Sequence, residues 1–282
     1  MKLWLIRIGA AALVTAFGSF LCDGADALVR ERAGVRDLAR PDSLDAAGRI
    51  PRRLLAALNG EGRSEGMTEA RQLNDLALLY QHQGRYTDAE PLYQRSLAML
   101  EDTLGANHPA VAASLGNLAA LYQEEGRYAD AERLCRRSVD ILEKALGPEH
   151  LAVAVGLHNL ALLYEHEGRD RDAEPLYQRG LGILEKTLPP EHFGIASILN
   201  NLARLYYRGG RYADAEPLYR RSLSILEKAL GPEHPAVAES LRNLADLYQA
   251  QGRAAEADAL QRQSEAIRRI THGSAKTCND CR

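Results

Sequence analysis

The sequence predicts an all-α chain built as a tandem array of helix pairs, and three observations carry that prediction. Gly-Arg recurs at Gly84-Arg85, Gly126-Arg127, Gly168-Arg169, Gly210-Arg211 and Gly252-Arg253, always 42 residues apart with no insertion. Tyr80, Tyr122, Tyr164, Tyr206 and Tyr248 keep the same period, as do Leu76, Leu118, Leu160, Leu202 and Leu244, each followed by Ala. Within one period the apolar residues form two helical faces separated by a glycine.

Residues 1–27 precede the array and have the layout of a bacterial export signal. Lys2 and Arg7 are followed by an uncharged apolar stretch from Ile8 to Cys22, and then by Ala25-Asp26-Ala27. That stretch is shorter than the roughly 20 residues a membrane span needs, so cleavage near Ala27 and a periplasmic or secreted protein are expected. The alternative is an uncleaved N-terminal membrane anchor. Cys22 lacks the small preceding residue of a lipid-attachment site. Residues 28–66 are Arg-rich and hold Pro41 and Pro51 with no sustained period, which reads as a linker. Ala47, Ile50, Arg53, Leu55 and Leu58 share the register of Ala89, Leu92, Arg95, Leu97 and Leu100, so a degenerate half-repeat is a possible content of that linker, against which Pro51 argues.

The repeat domain covers 67–270, with units at 66–107, 108–149, 150–191, 192–233 and 234–270, and leaves 271–282 as a disordered tail. In the second unit Val111, Leu115, Leu118, Ala119 and Tyr122 make one amphipathic helix, and Leu134, Val139, Ile141, Leu142 and Leu146 make the next. Gly126 supplies the left-handed residue that ends the first helix. Gly105, Gly147 and Gly231 end second helices, and Pro109 and Pro235 open first helices, where a missing N–H is harmless. Pro91, Pro175 and Pro217 fall near the start of second helices. Glu132 with Arg136, and Glu216 with Arg220, are i,i+4 surface pairs. His108, His150, His192 and His234 are expected to pack in the turns between units. One histidine per helix pair cannot bring several ligands within the roughly 2 Å bonds of a metal, so no metal and no cofactor are expected.

Ala89, Ala131, Ala173, Ala215 and Ala257, with Ser96, Ser138, Gly180, Ser222 and Ser264 seven residues on, are small enough to let two helices approach closely. The N-L-A-x-L-Y-x-x-x-G-R-Y-x-D-A-E core and the G-P-E-H-P link at Gly231 to Pro235 resemble the tetratricopeptide repeat, and the 42-residue period resembles the kinesin light chain type. The resemblance implies a right-handed superhelical solenoid of about five helix-turn-helix repeats with first helices lining a concave groove. It also implies a protein or peptide partner. No heptad region accompanies the repeats, so the architecture is carried over and the motor role is not. Repeat three departs from the link with Pro189-Pro190, and repeat five places Gln261 where Tyr93, Tyr177 and Tyr219 stand, as a polar terminal cap requires.

Asn117, Asn159, Asn201 and Asn243, with Asp75 in the first unit, occupy one position immediately before the Leu-Ala pair. In the resembling fold this position faces the groove. A carboxamide offers a donor and an acceptor together and matches the main chain of an extended peptide regardless of its side chains. Helices about 8–10 Å apart and a strand rise of about 3.3 Å would bring one Asn to roughly every third ligand residue. Alternatively these carboxamides bond a neighbouring helix and staple the repeats. Selectivity falls to positions that vary between units: Asn74, Gly116, His158, Asn200 and Arg242 directly before each of these, and Leu78, Ala120, Leu162, Arg204 and Asp246 three after. The middle of the groove is apolar and its ends carry both charge signs, which suits a ligand with a hydrophobic centre.

Other function classes fit poorly. In 282 residues, 35 basic against 38 acidic give a net charge of −3, without the positive field that attracts nucleic acid. Four cysteines are too few for a disulfide-built scaffold, and Cys278-Asn279-Asp280-Cys281 lacks the βαβ setting of a redox site. With no phosphate loop, H-E-x-x-H or G-x-S-x-G, an enzyme is not expected. A tail-based thiol enzyme is a remote reading. The competing reading to a peptide-binding scaffold is a structural spacer or assembly subunit using convex or end surfaces.

Overall fold

The structure is a computed structural model that describes residues 63–279, with side chains from 66 to 270. The export segment, nearly all of the linker and the thiols of Cys278 and Cys281 lie outside the described residues. Ten α-helices and no strand are found among the described residues. In chain order they are α1 (Arg63–His82), α2 (Tyr86–Leu104), α3 (Pro109–Glu124), α4 (Tyr128–Leu146), α5 (Leu151–His166), α6 (Asp170–Thr187), α7 (Phe193–Arg208), α8 (Tyr212–Leu230), α9 (Pro235–Ala250) and α10 (Ala254–Asn279). The chain divides into two compact units, Met1–Leu163 and Tyr164–Arg282, with the division inside α5.

In the first unit α1 packs on α2 and α3 on α4, with α2 also against α3; in the second α7 packs on α8 and α9 on α10, with α6 against α7 and α8 against α9. The predicted apolar columns are the core. Leu118, Ala119, Leu121 and Tyr122 of α3 are buried, as are Leu244, Ala245, Leu247 and Tyr248 of α9. Ala89, Ala131, Ala173, Ala215 and Ala257 are wholly covered, so a methyl is all the helix contact admits at that position.

The serines in the small-residue column do more than permit close approach. Ser96 Oγ donates to the Ala70 carbonyl at 2.6 Å, Ser138 to Ala112 at 2.8 Å, Ser222 to Ala196 at 2.8 Å and Ser264 to Ala238 at 2.6 Å. Each bond ties the second helix of a pair to the backbone of the first, and Gly180 has no hydroxyl with which to do so. Pro91, Pro175 and Pro217 sit at the sixth residue of α2, α6 and α8, further in than a capping proline, so each helix forgoes one backbone bond beyond its free first turn.

Turn geometry explains the glycine period. Gly126 has φ +78°, and the following Arg127 N–H reaches back to the Tyr122 carbonyl at 2.8 Å. Gly147 lies at φ +91°, ψ 154°, a region essentially closed to any residue with a Cβ. Repeat three replaces that glycine by Pro189, whose ring forbids positive φ. There α6 ends at Thr187 and Leu188 turns extended, yet the Pro189 carbonyl still accepts from His192 N–H at 2.9 Å, as Gly147 does from His150 at 3.2 Å. The last helix runs to Asn279, past residue 270, so the stretch expected to be an irregular tail from 271 is helical as far as Asn279. Gly273 alone does not stop it, because a glycine inside a helix costs only about 1 kcal/mol.

Candidate protein-binding face

Within each unit the surface of interest is carried by the odd-numbered helices, and Gly-Arg corners join each of them to the second helix of its pair. Each corner arginine lies over the tyrosine that ends the preceding helix: Arg85 over Tyr80 at 4.1 Å, Arg127 over Tyr122 at 3.8 Å, Arg169 over Tyr164 at 4.1 Å, Arg211 over Tyr206 at 4.0 Å and Arg253 over Tyr248 at 3.8 Å. A glutamate one repeat earlier then holds both members. Glu90 accepts from Tyr122 Oη at 2.8 Å and Arg127 at 3.0 Å; Glu174 does so from Tyr206 and Arg211, and Glu216 from Tyr248 and Arg253. The Tyr and Gly-Arg periods read in the sequence are thus one recurring clamp between consecutive repeats.

At the other end of four of the five first helices, α3, α5, α7 and α9, stands a histidine. Nδ1 of His108, His150, His192 and His234 accepts the backbone N–H of Ala110, Ala152, Gly194 and Ala236 at 3.1–3.2 Å. These residues are N-caps, a more specific role than packing in the turn.

Between clamp and cap lie the positions singled out in the sequence. In the first unit Asn117 Nδ2 donates to Asn74 Oδ1 at 3.0 Å, and in the second Asn243 Nδ2 donates to Asn200 Oδ1 at 3.0 Å. The bonds bridge neighbouring first helices through side chains, while the Asn117 and Asn243 carbonyls keep their acceptor capacity. Gly116 breaks the series: it offers Asn159 no such acceptor, and a Cβ there would meet nothing within 4 Å. Asp75 and Asn159 are half-buried, Asn201 and His158 are 8% exposed, and Arg242 is half-buried with Asp246 in its field.

Arg204 is the predicted site residue with the most developed surroundings. Its Nε donates to Glu165 Oε1 at 2.8 Å, Arg208 reaches the same oxygen at 3.1 Å, and Tyr177 Oη donates to Oε2 at 2.8 Å. Glu165 is only 4% exposed. Burial would push its carboxyl up, but the two guanidinium groups and the Tyr177 hydroxyl hold it below the usual carboxylate value. Burial, together with the Glu165 charge, pushes the Tyr177 phenol far above its ordinary range. In the first unit a neutral carboxamide stands where Glu165 does: Tyr93 Oη donates to Gln81 Oε1 at 2.8 Å, and Gln81 Nε2 donates to the Glu124 carboxylate at 3.2 Å. Sequence reading passed over Glu165, Tyr177 and Arg208. The available signal was that Glu165 is the one charged member of a column otherwise held by Gln81, Gln123, Tyr207 and Gln249, and that Arg204 brings charge to a column that is apolar in the first three units at Leu78, Ala120 and Leu162.

Cys135, in the column of the buried tyrosines, is itself buried, which pushes its thiol up to about 12 and leaves it unreactive. No cluster of metal-ligating side chains occurs among the described residues, and no described helix is long and apolar enough to cross a membrane.

The model of the tetratricopeptide repeat matches residues 69–134, 111–186 and 194–270. Among solved structures, the nearly identical TPR-like repeats of a Podosopora anserina protein described as a kinesin light chain are similar at 33% identity. That match covers 73% of this chain and 97% of the other, with a TM-score of 0.62. BtubC (BKLC) from P. vanneervenii shares the fold at 24% identity and TM-score 0.69, over 89% of this chain and 94% of the other. The apo form of RapI shares it at 14% identity and TM-score 0.56, over 78% and 89%. No curated protein matches.

Proposed function

We propose, for a chain that belongs to the tetratricopeptide repeat family, a fold that generally serves as a protein–protein interaction scaffold, that the first helices hold an extended segment of a partner protein. The observation that supports this most is the pairing of Asn117 with Asn74 and of Asn243 with Asn200. A carboxamide fixed by its neighbour presents its remaining acceptor and donors in a set orientation, so less side-chain entropy is lost when a ligand main chain bonds to it. Ala113, Gly116 and Ala120 leave the α3 part of this face low and uncharged. In the second unit the Glu165–Arg204–Arg208 group makes the first-helix surface charged, so a segment held there would carry charged or polar residues.

End-to-end assembly is the weaker reading, because Gln261 and Glu265 of α10 are exposed where Tyr93 and Leu97 stand in the first repeat. Export remains part of the proposal. The leader argues for an extracytoplasmic protein, and an intact mass that begins near Ala27 in an extracytoplasmic fraction is the expected result. A full-length mass would refute cleavage. For the binding face, Asn117→Ala with Asn159→Ala and Asn201→Ala should abolish capture of the partner while circular dichroism stays unchanged. Undiminished capture by this folded triple variant would refute the main-chain grip.

A further inference from the structure

Two buried tyrosines of second helices give their hydroxyls to a first-helix side chain. Tyr93 Oη donates to Gln81 at 2.8 Å, and Tyr177 Oη donates to Glu165 at 2.8 Å, with Arg204 on the other carboxylate oxygen at 2.8 Å. One 42-residue period after Tyr177, Glu165 and Arg204, the same three places are held by Tyr219, Tyr207 and Asp246, all in the second unit. A phenol replaces the carboxylate and a carboxylate replaces the guanidinium, so the ion pair that closes the group around Glu165 has no counterpart. Tyr219 is 2% exposed, yet its hydroxyl has no hydrogen-bond partner among the described residues. Nor do the Tyr207 hydroxyl and the Asp246 carboxylate.

The three groups lie in one another's field. Burial raises the Tyr219 phenol above its ordinary value, and among the nearby charges those of Tyr207 and Asp246 act in the same direction. Burial and then Asp246 do the same to Tyr207. Both phenols therefore keep their protons at neutral pH. Partial burial raises the Asp246 carboxyl against the lowering by Arg242, so this carboxylate is short of solvent without having an ion pair in exchange. Arg242 stands four residues before Asp246 on α9, the less favourable order for a helical pair, and the two form no ion pair. Beside them the half-buried rings of Tyr207 and Tyr212 lie 5.8 Å apart, tilted by 38°.

We propose that Tyr207, Tyr219 and Asp246 form a subsite for a basic side chain, arginine or lysine, of the segment held on α7 and α9. It rests on the reading of the first helices as a protein-binding face and adds the charge that the segment carries at this point. A guanidinium or ammonium has donors only, and the subsite offers it a carboxylate and two phenol oxygens. Aromatic ring faces add a further attraction for a cation. An acidic side chain would meet Asp246 with like charge, and a neutral one would leave the carboxylate uncompensated. The neighbouring arginines do not compete equally. Arg204 and Arg208 are held by Glu165, and Arg208 also by Asp170 at 2.6 Å. Arg242 has no ion-pair partner among the described residues, so it is the charge that opposes a basic ligand.

The test titrates the full chain with N-acetylarginine amide and follows the tyrosine ring signals by NMR. N-acetylcitrulline amide serves as the neutral isostere and N-acetylglutamic acid amide as the acidic probe. The Tyr207 and Tyr219 signals, assigned from their Phe variants, should shift saturably with the arginine probe and not with the other two, with a dissociation constant of about 1–10 mM for one side chain. Asp246→Asn should weaken binding about tenfold, the loss of one charge-assisted bond, and Arg242→Gln should tighten it. Tyr219→Phe should weaken binding without lowering the urea midpoint, because no bond within the protein is lost. Equal shifts with arginine and citrulline probes, no saturable shift with the arginine probe, preference for the acidic probe, or an unchanged titration in Asp246→Asn would overturn the subsite. The probe has no extended main chain, so failure here leaves the main-chain grip standing, and undiminished capture by the triple asparagine variant leaves the titration standing.

Discussion

Two buried serines in the second unit should respond to the same substitution with opposite signs. Ser222 is fully buried and donates to the Ala196 carbonyl at 2.8 Å. Ser240, 2% exposed on α9, has a hydroxyl oxygen with no hydrogen-bond partner. Ser222→Ala removes one good bond of about 1–1.5 kcal/mol, while the Ala196 carbonyl keeps the helical N–H four residues on. Alanine returns about 0.5 kcal/mol of helix propensity, so the net loss should be about 0.5–1 kcal/mol. Ser240→Ala gains the same propensity and also removes a desolvated, unbonded hydroxyl costing at least about 1 kcal/mol, for a net gain of about 1.5 kcal/mol. The two variants should therefore differ by about 2 kcal/mol, with urea midpoints on opposite sides of wild type. The assay is equilibrium unfolding by circular dichroism at neutral pH. Midpoints shifted in the same direction would show that hydrogen bonding does not distinguish the two sites.

Gly147→Ala should destabilise by about 1–3 kcal/mol although nothing lies within 4 Å of the new Cβ, because the cost is backbone strain at φ +91°; an unchanged thermal midpoint would contradict it. Glu165→Gln should cost about 2 kcal/mol at neutral pH by leaving Arg204 and Arg208 without their carboxylate, a figure held down by the partial exposure of both arginines. Because the folded Glu165 carboxyl lies below its ordinary value of 4.5, its contribution is present above that value and lost as pH falls through the lowered one; the Gln variant should show a shallower acid limb in a pH series of unfolding curves. Deleting residues 108–149 joins Asn107 to His150 in register and should leave a folded, less stable array, whereas deleting 108–126 should strand the apolar face of Leu134, Val139 and Leu142 and aggregate on size exclusion.

The sequence by itself determined the helix pairs, because period and glycine placement are local properties. A face such as Leu118, Ala119 and Tyr122 has only one way to be buried, and Gly126 has to take a left-handed turn whatever packs around it. It also marked Asn117, Asn159, Asn201 and Asn243, with Asp75, as special, since a recurring polar residue beside a Leu-Ala pair stands out against an apolar period, and Asn74 and Asn200 as members of the variable column just before it. That Asn117 bonds Asn74 was decided only by the tertiary structure, because the partners lie 43 residues apart and meet only once two helix pairs have stacked. The same reason hid the glutamate that joins tyrosine and arginine at the Arg127, Arg211 and Arg253 corners, with Glu90 reaching 37 residues to Arg127. It also hid the enclosure of Glu165 by Tyr177, Arg204 and Arg208, whose column breaks were visible but whose meeting was not. The histidines show the boundary most clearly. Their period is plain in the sequence, but whether an imidazole packs, binds metal or caps a helix depends on where one ring nitrogen points, and only the folded link fixes that at 3.1–3.2 Å from a backbone N–H.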